Sequence, residues 1–184
     1  IILGFAGVIL LGSILLMLPF SSVDRIPTPF HEALFTATSA VCVTGLVVKD
    51  TGSYWSVAGQ TIILVLIQIG GLGIASVGVG LIIAAGKRVS IKSRLMVKEA
   101  LNVDTYHGMV RLVRIVLAIT LGFEAAGAII SFFVFRKDYS PLHAVGISIF
   151  HSIAAFNNAG FDNLGGMHNL IPYKDNILLN ITTD

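Results

Sequence analysis

The chain has 184 residues, of which 55% are apolar and 12% charged, with a mean hydropathy of +0.88 and a formal net charge of +2. That is too little polar surface for a water-soluble fold, so composition alone places the chain in the membrane class. Cys42 is the only cysteine, which excludes an internal disulfide.

Ile1 to Leu18 has Ser13 as its one clearly polar side chain and ends at Pro19. At about 1.5 Å per residue it just reaches across a hydrocarbon core of roughly 30 Å, and it is expected to be a transmembrane helix clipped at its start. Further apolar spans follow it, so a cleaved signal peptide is not expected. After a polar connection over residues 20–28, Thr28 and Pro29 open a short predicted helix ending near Ala40, with the hydroxyl as cap and the proline in the first turn.

Tyr54 and Trp55 begin a long apolar run that continues to Ala85 and stops at Gly86-Lys87-Arg88. Aromatics at one end and cations at the other predict a helix running from an outer interface to the cytoplasm. Gly70, Gly71, Gly73, Gly78 and Gly80 are too many for a soluble helix; in a membrane they predict close helix packing. No strand precedes them and no Lys-Ser/Thr pair follows, which rejects a nucleotide loop. Seven of the twelve Lys and Arg residues then fall between positions 87 and 114. Flanked by apolar spans, this cluster predicts a cytoplasmic loop under the positive-inside bias rather than a nucleic-acid surface. Arg111 and Arg114 lead into a third span, Ile115 to Phe135, closed by Arg136-Lys137-Asp138.

Here the chain repeats itself. "TPFHEALFTATSAVCVTGL", Thr28 to Leu46, and "SPLHAVGISIFHSIAAFNNAGF", Ser140 to Phe161, each start with a hydroxyl residue and proline, place a His two residues later, and have a Phe followed ten residues on by Gly. Proline and glycine are sixteen residues apart in the first and nineteen in the second, so the second short helix is expected to be longer by nearly one turn. The predicted helices, Pro29 to Ala40 and Pro141 to Ala155, measure about 18 Å and about 22 Å. Neither crosses the bilayer core, so each must dip in and return to the same side.

Non-helical backbone at membrane depth is tolerated only inside protein or beside a water-filled path. A dehydrating cation is the natural partner for its carbonyls, aided by the negative C-terminal end of the short helix. Gly45 and Gly160 can turn there at positive φ without a Cβ clash. The expected architecture is an all-α membrane protein with a first unit over residues 1–86, a basic cytoplasmic loop over 87–110 and a second unit over 111–184, truncated near the start of its last span.

The two quoted stretches, with "GSYWSVAGQTIILVLIQIGGLGIA", resemble the potassium transporter superfamily of bacterial Ktr and Trk membrane subunits and plant HKT proteins, most of all the Ktr-type (KtrB-like) subunit. The resemblance covers essentially the whole chain. It implies M1–P–M2 repeats (transmembrane helix, re-entrant pore helix with filter loop, transmembrane helix) around a pseudo-fourfold pore in a bacterial plasma membrane. It further implies that Val43, Thr44, Gly45 and Leu46 line one quarter of a K+ filter and Asn158, Ala159, Gly160 and Phe161 another. In the plant branch Ser at the filter glycine accompanies Na+ permeation, so Gly45 favours K+ here. The family's gating loop and pore-blocking arginine belong to later repeats. Implied partners are the lipid bilayer, a second copy in a homodimer, and a cytosolic nucleotide-binding (KtrA/TrkA-like) regulatory ring facing Lys87 to Lys98; K+ is the transported ion and Na+ coupling is left open.

Asp50 and Asp162 follow the two glycines and are candidates for a cation-concentrating charge at the outer mouth, against a reading as solvated loop carboxylates. Glu124, mid-span, is read as protonated or hydrogen-bonded between helices, and Gln68 likewise as an inter-helix partner. Asn157 and Asn158 either brace the second loop or favour its turn. His31, His143 and His151 lack partners at metal-ligand spacing and are expected to pack between helices. Asn180-Ile181-Thr182 has sequon form but lies too near a span to be used. Among rival functions, a secondary transporter of Na+ or another cation with broken helices predicts inverted repeats, whereas these two run in the same orientation. An intramembrane hydrolase built on Asp162 or a His with Ser39 has no paired nucleophile and base. A structural scaffold leaves the glycine turns without a purpose.

Overall fold

The computed structural model describes residues 2–86, 89–101, 108–166, 170–173 and 175–183. Every regular element among them is helical; the one pairing of strand type is an isolated antiparallel bridge between Ser22 and Trp55. Lys87, Arg88 and Asp104, in the basic stretch, lie outside the described residues, as do the side chains of Lys92, Arg94 and Glu99.

Helix α1, Ile2–Met17, presents Leu3, Leu10, Leu11 and Ile14 outward and buries Gly12, Ser13 and Leu16. Pro19 lacks an N–H to continue the ladder, so the chain tightens into a short 3₁₀ turn, Pro19–Ser21, with Ser21 Oγ donating back to the Leu15 carbonyl at 2.7 Å. Helix α2 is Phe30–Val41. Its predicted cap is corrected: Pro29 sits at the N-cap with no side-chain cap, because the buried Thr28 hydroxyl is 3.1 Å from the Tyr54 hydroxyl instead.

The apolar run from Tyr54 to Ala85 is not one helix. A single turn, α3, Thr51–Tyr54, precedes α4, Val57–Leu72, and α5, Ile74–Ala84, leaves α4 at a bend of 107°. Gly73 makes the break, with φ +79 and ψ +139, a positive-φ conformation open to glycine because it has no Cβ, and with its N–H on the Gly70 carbonyl at 3.2 Å. Close packing holds at Gly70, Gly71 and Gly80, where a Cβ would overlap Val41, Asn157 and Leu117; Gly73 and Gly78 have open space. The basic stretch contains a helix of its own, α6, Ile91–Leu101, whose Val97 joins Val79, Val89 and Val113 in a small core.

Helix α7, Met109–Phe135, holds 27 residues; its segment Val110–Phe135 is long and apolar enough to cross a bilayer, as the predicted third span requires. Leu121, Phe123, Ile129 and Phe133 are exposed along it. Among the described residues it is the one unbroken helix of that kind, and α4 with α5 passes only if the bent pair counts as one span. Helix α8, Pro141–Phe156, carries its proline in the first turn as expected, though the Ser140 hydroxyl makes no cap hydrogen bond. At 16 residues it exceeds α2, with 12, by about one turn, so the pair measures about 24 Å and about 18 Å. Helix α9, Ile177–Thr183, follows.

The main core joins α1, α2, α4 and α8. Ala33, Ala37 and Ala40, spaced along one face of α2, are fully buried with Leu16, Ile63 and Ile67. Ala159 and Phe161, just beyond α8, belong to the same cluster, so the end of the second short helix is anchored in the packing of the first.

Candidate functional site: two matched glycine loops

Both short helices end in the same way. In the first, the Val43 N–H reaches the Ala40 carbonyl at 3.3 Å and the Thr44 N–H reaches Ser39 at 3.0 Å. In the second, the Asn158 N–H reaches Ala155 at 2.8 Å and the Ala159 N–H reaches Ala154 at 2.7 Å. This is the Schellman stop, and it requires a left-handed residue just past the helix, here Val43 at φ +56 and Asn158 at φ +53. Asn tolerates that conformation, whereas a β-branched valine is an outlier that costs about 1–2 kcal/mol. Strain of this size persists only where the surroundings over-determine it. The Ser39 and Thr44 hydroxyls, 2.9 Å apart, tie the strained turn to its own helix.

Two residues further on, both stretches turn again at a glycine, Gly45 at φ +71 and Gly160 at φ +68. The two glycines meet. A Cβ on Gly45 would stand 2.9 Å from the Ala159 carbonyl oxygen and 3.0 Å from Gly160 Cα, and one on Gly160 would stand 3.0 Å from Gly45 Cα. Of the eight residues singled out in the sequence, Thr44, Leu46, Asn158 and Gly160 are exposed, Val43 and Gly45 are half-buried, and Ala159 and Phe161 are buried. A cavity of about 510 Å³ opens on the flank of the second loop, lined by Asn158, Gly160, Phe161 and Asp162 together with His151 and Leu179.

The stretches after the glycines are interlocked. Asp50 caps α3 by accepting from the Ser53 N–H at 2.9 Å and from the Ser53 hydroxyl, and it accepts from the Gly166 N–H at 3.2 Å across the gap between the two units. It therefore latches the loops, a role neither sequence reading of Asp50 contained. Gly52 lies so close to the Asn163 carbonyl and the Gly165 N–H that no Cβ fits. Gln60 clamps the junction, donating to the Trp55 carbonyl at 3.0 Å and accepting from Asn163 at 3.1 Å. Asp162 is half-buried; burial pushes its carboxyl above the ordinary range, the Leu164 N–H at 3.3 Å opposes this, and the nearby Asp50 charge adds to the rise.

Behind the second loop, Gln68 of α4, Glu124 of α7 and Asn157 at the end of α8 form one hydrogen-bonded group. Gln68 donates to Glu124 Oε1 at 2.8 Å, and Asn157 donates to Gln68 Oε1 at 3.0 Å and to the Ile153 carbonyl at 2.8 Å, with Glu124 Oε1 at 3.4 Å. Glu124 is 5% exposed. The inter-helix roles expected of Glu124 and Gln68, and the bracing role of Asn157, are those the geometry gives them. His151 is buried edge-on against Phe135, as expected of a packing residue, but that expectation is corrected for the other two: His143, tilted against Tyr139, and His31 are both exposed. Among the described residues no three His, Cys, Asp or Glu side chains gather as a metal site.

A family model described as TrkH, cation transport protein, matches residues 8–183. The chain belongs to this family. It is 42% identical over 162 residues to the potassium/sodium uptake protein NtpJ of Enterococcus hirae, covering 88% of this chain and 36% of that one. It is 43% identical over 166 residues to the Ktr system potassium uptake protein B of Bacillus subtilis, covering 88% and 37%, and 34% identical over 173 residues to protein D of the same system and organism, covering 92% and 38%. The chain thus spans little more than a third of the length of these relatives.

Membership in the TrkH family agrees with the resemblance carried by the two glycine stretches. What sequence reasoning missed is the grouping of Gln68, Glu124 and Asn157, three residues noted singly. The signal was present: polar side chains inside apolar helices seek one another, and these are among the few available.

Proposed function

We propose that this chain supplies two quarters of the translocation path of a membrane K+ uptake subunit. In this reading α1, α2 and the α4–α5 pair form one M1–P–M2 repeat, and α7, α8 and α9 the start of the next, around a pseudo-fourfold axis. Val43 to Leu46 and Asn158 to Phe161 then contribute main-chain oxygens to a filter in which carbonyls replace the water around K+. The protein sits in the plasma membrane with the 87–110 stretch in the cytoplasm, works as a homodimer on a nucleotide-binding regulatory ring, and is not an enzyme. The observation that carries the reading is the pair of matched helix stops, each followed by a left-handed glycine, with the two glycines in contact. The names of the Bacillus relatives support K+ as the ion, and the name of the Enterococcus relative supports Na+ as a second one.

The test is rubidium or K+ flux into liposomes holding the full-length protein with its regulatory partner. Flux that exceeds empty liposomes and is competed by K+ supports the reading; correctly inserted protein without flux overturns it.

Asp50 and Asp162 allow a finer prediction. Asp50→Asn keeps an N-cap acceptor but removes the charge, so flux should fall mainly at low K+ and low ionic strength, where a surface charge is least screened. An equal loss at all salt concentrations would assign Asp50 to latching alone. Because the Asp162 carboxyl titrates above the ordinary range, its negative charge is complete above that raised pKa and disappears as pH falls through it. Uptake should therefore decline as pH falls through that raised pKa, and Asp162→Asn should remove that part of the pH profile.

A further inference from the structure

We propose that Glu124 is a positioning residue that fixes the spacing between the two glycine loops and thereby the preference for K+ over Na+; this rests on the filter reading above. Helix α4 lies against both loops. One turn of this helix touches the ends of both short helices: Gly70 lies flush on the carbonyl of Val41, the last residue of α2, and Gly71 lies flush on Asn157 Oδ1, at the end of α8. Gln68, on the same turn, holds the Asn157 side chain. Asn157 directly precedes Asn158, the left-handed residue from which the second loop departs. A shift of α4 therefore moves both loops, and a rotation of Asn157 redirects the second.

What stops such a shift is Glu124. It reaches from α7 to receive the Gln68 amide at 2.8 Å and stands 3.4 Å from the Asn157 amide. Its helix is clamped to α8 at the same residue, where Ser152 Oγ donates to the Glu124 carbonyl at 2.6 Å and Gly127 leaves room for that hydroxyl. A carboxylate oxygen can accept from both amides at once, which no apolar side chain does. The first loop has no such brace, since its residue corresponding to Asn157 is the exposed Cys42. The buried group thus serves the one loop that must be set against the other, and K+ differs from Na+ in the carbonyl placement it requires.

The experiment uses the full-length protein in liposomes, with K+ and Na+ flux measured in competition. Glu124→Ala should lower the K+ over Na+ preference by about tenfold, the worth of one buried hydrogen bond at the upper end of its range. Glu124→Gln, which keeps the Oε1 acceptor, should restore most of that preference. Asn157→Ala should reproduce the loss, and combining it with Glu124→Ala should add little, because both break one group. Unchanged preference in Glu124→Ala, or fully additive losses, overturns the proposal. Should Glu124→Ala fail to reach the membrane, Gln68→Ala and Asn157→Ala carry the same readout, and unchanged preference in both overturns it equally. Gly45→Asp and Gly160→Asp run alongside. If they abolish flux while Glu124→Ala leaves preference intact, only the positioning role fails; if they leave flux intact, the filter reading itself fails.

Discussion

Gly45→Asp in the full-length protein should abolish K+ uptake while leaving membrane insertion intact, and Gly160→Asp should do the same. At φ +71 and +68 both positions lie in the region that L side chains avoid, so any substitution adds about 1–2 kcal/mol of strain. Space adds to this at Gly45, where a Cβ would press on the Ala159 carbonyl oxygen at 2.9 Å and on Gly160 Cα at 3.0 Å. The neighbours here are backbone and cannot rotate away. An aspartate also carries a carboxylate into the gap between the loops, where it would hold a cation instead of passing it. Uptake of radioactive rubidium, with membrane content measured by immunoblot, checks the result. Gly45→Ala separates the terms: it keeps the strain and the Cβ contact without the charge and should retain partial flux. Wild-type uptake in both aspartate variants would end the filter assignment.

The legibility of this fold follows from where local chemistry decides the structure. The second short helix begins at Pro141 and the glycine turns fall at Gly45 and Gly160, as the repeated pattern implies, because proline and glycine act through their own backbone. The third span is visible in hydropathy alone, and α7 ends at Phe135, where it was expected to end. The caps and the break were harder. Thr28 has the right residue type for an N-cap, but Tyr54, far along the chain, offers its hydroxyl a partner, and tertiary contact overrides the local preference. Gly73 is one glycine among five in its run, and nothing in the spacing separates the one that bends the helix from those that admit a neighbour. The matched hydrogen bonds of Val43, Thr44, Asn158 and Ala159 were likewise out of reach, since a valine at positive φ contradicts its own propensity. That contradiction marks the loop as a place where the fold accepts strain.

Gly70 and Gly78 give the second large effect and its control. They lie on either side of the Gly73 break, Gly70 in α4 and Gly78 in α5, and sequence alone treats them alike. Their surroundings differ: a Cβ on Gly70 would overlap the Val41 carbonyl, backbone at the end of α2, while one on Gly78 meets nothing within 4 Å. Gly70→Ala must therefore push α4 from α2, and overpacking of this kind typically costs about 1–3 kcal/mol. Because the displaced carbonyl belongs to the residue just before the first loop, uptake should fall more steeply than the amount of folded protein. Gly78→Ala should leave uptake unchanged and raise thermal stability slightly, since alanine is the better helix former by up to about 1 kcal/mol. Uptake and melting temperature of the purified full-length protein, measured for both variants, decide the matter. If Gly70→Ala behaves like Gly78→Ala, α4 does not bear on the first loop and the close approach at Val41 has no functional weight. If uptake falls and the melting temperature holds, the approach serves the geometry of the loop more than the stability of the helix pair.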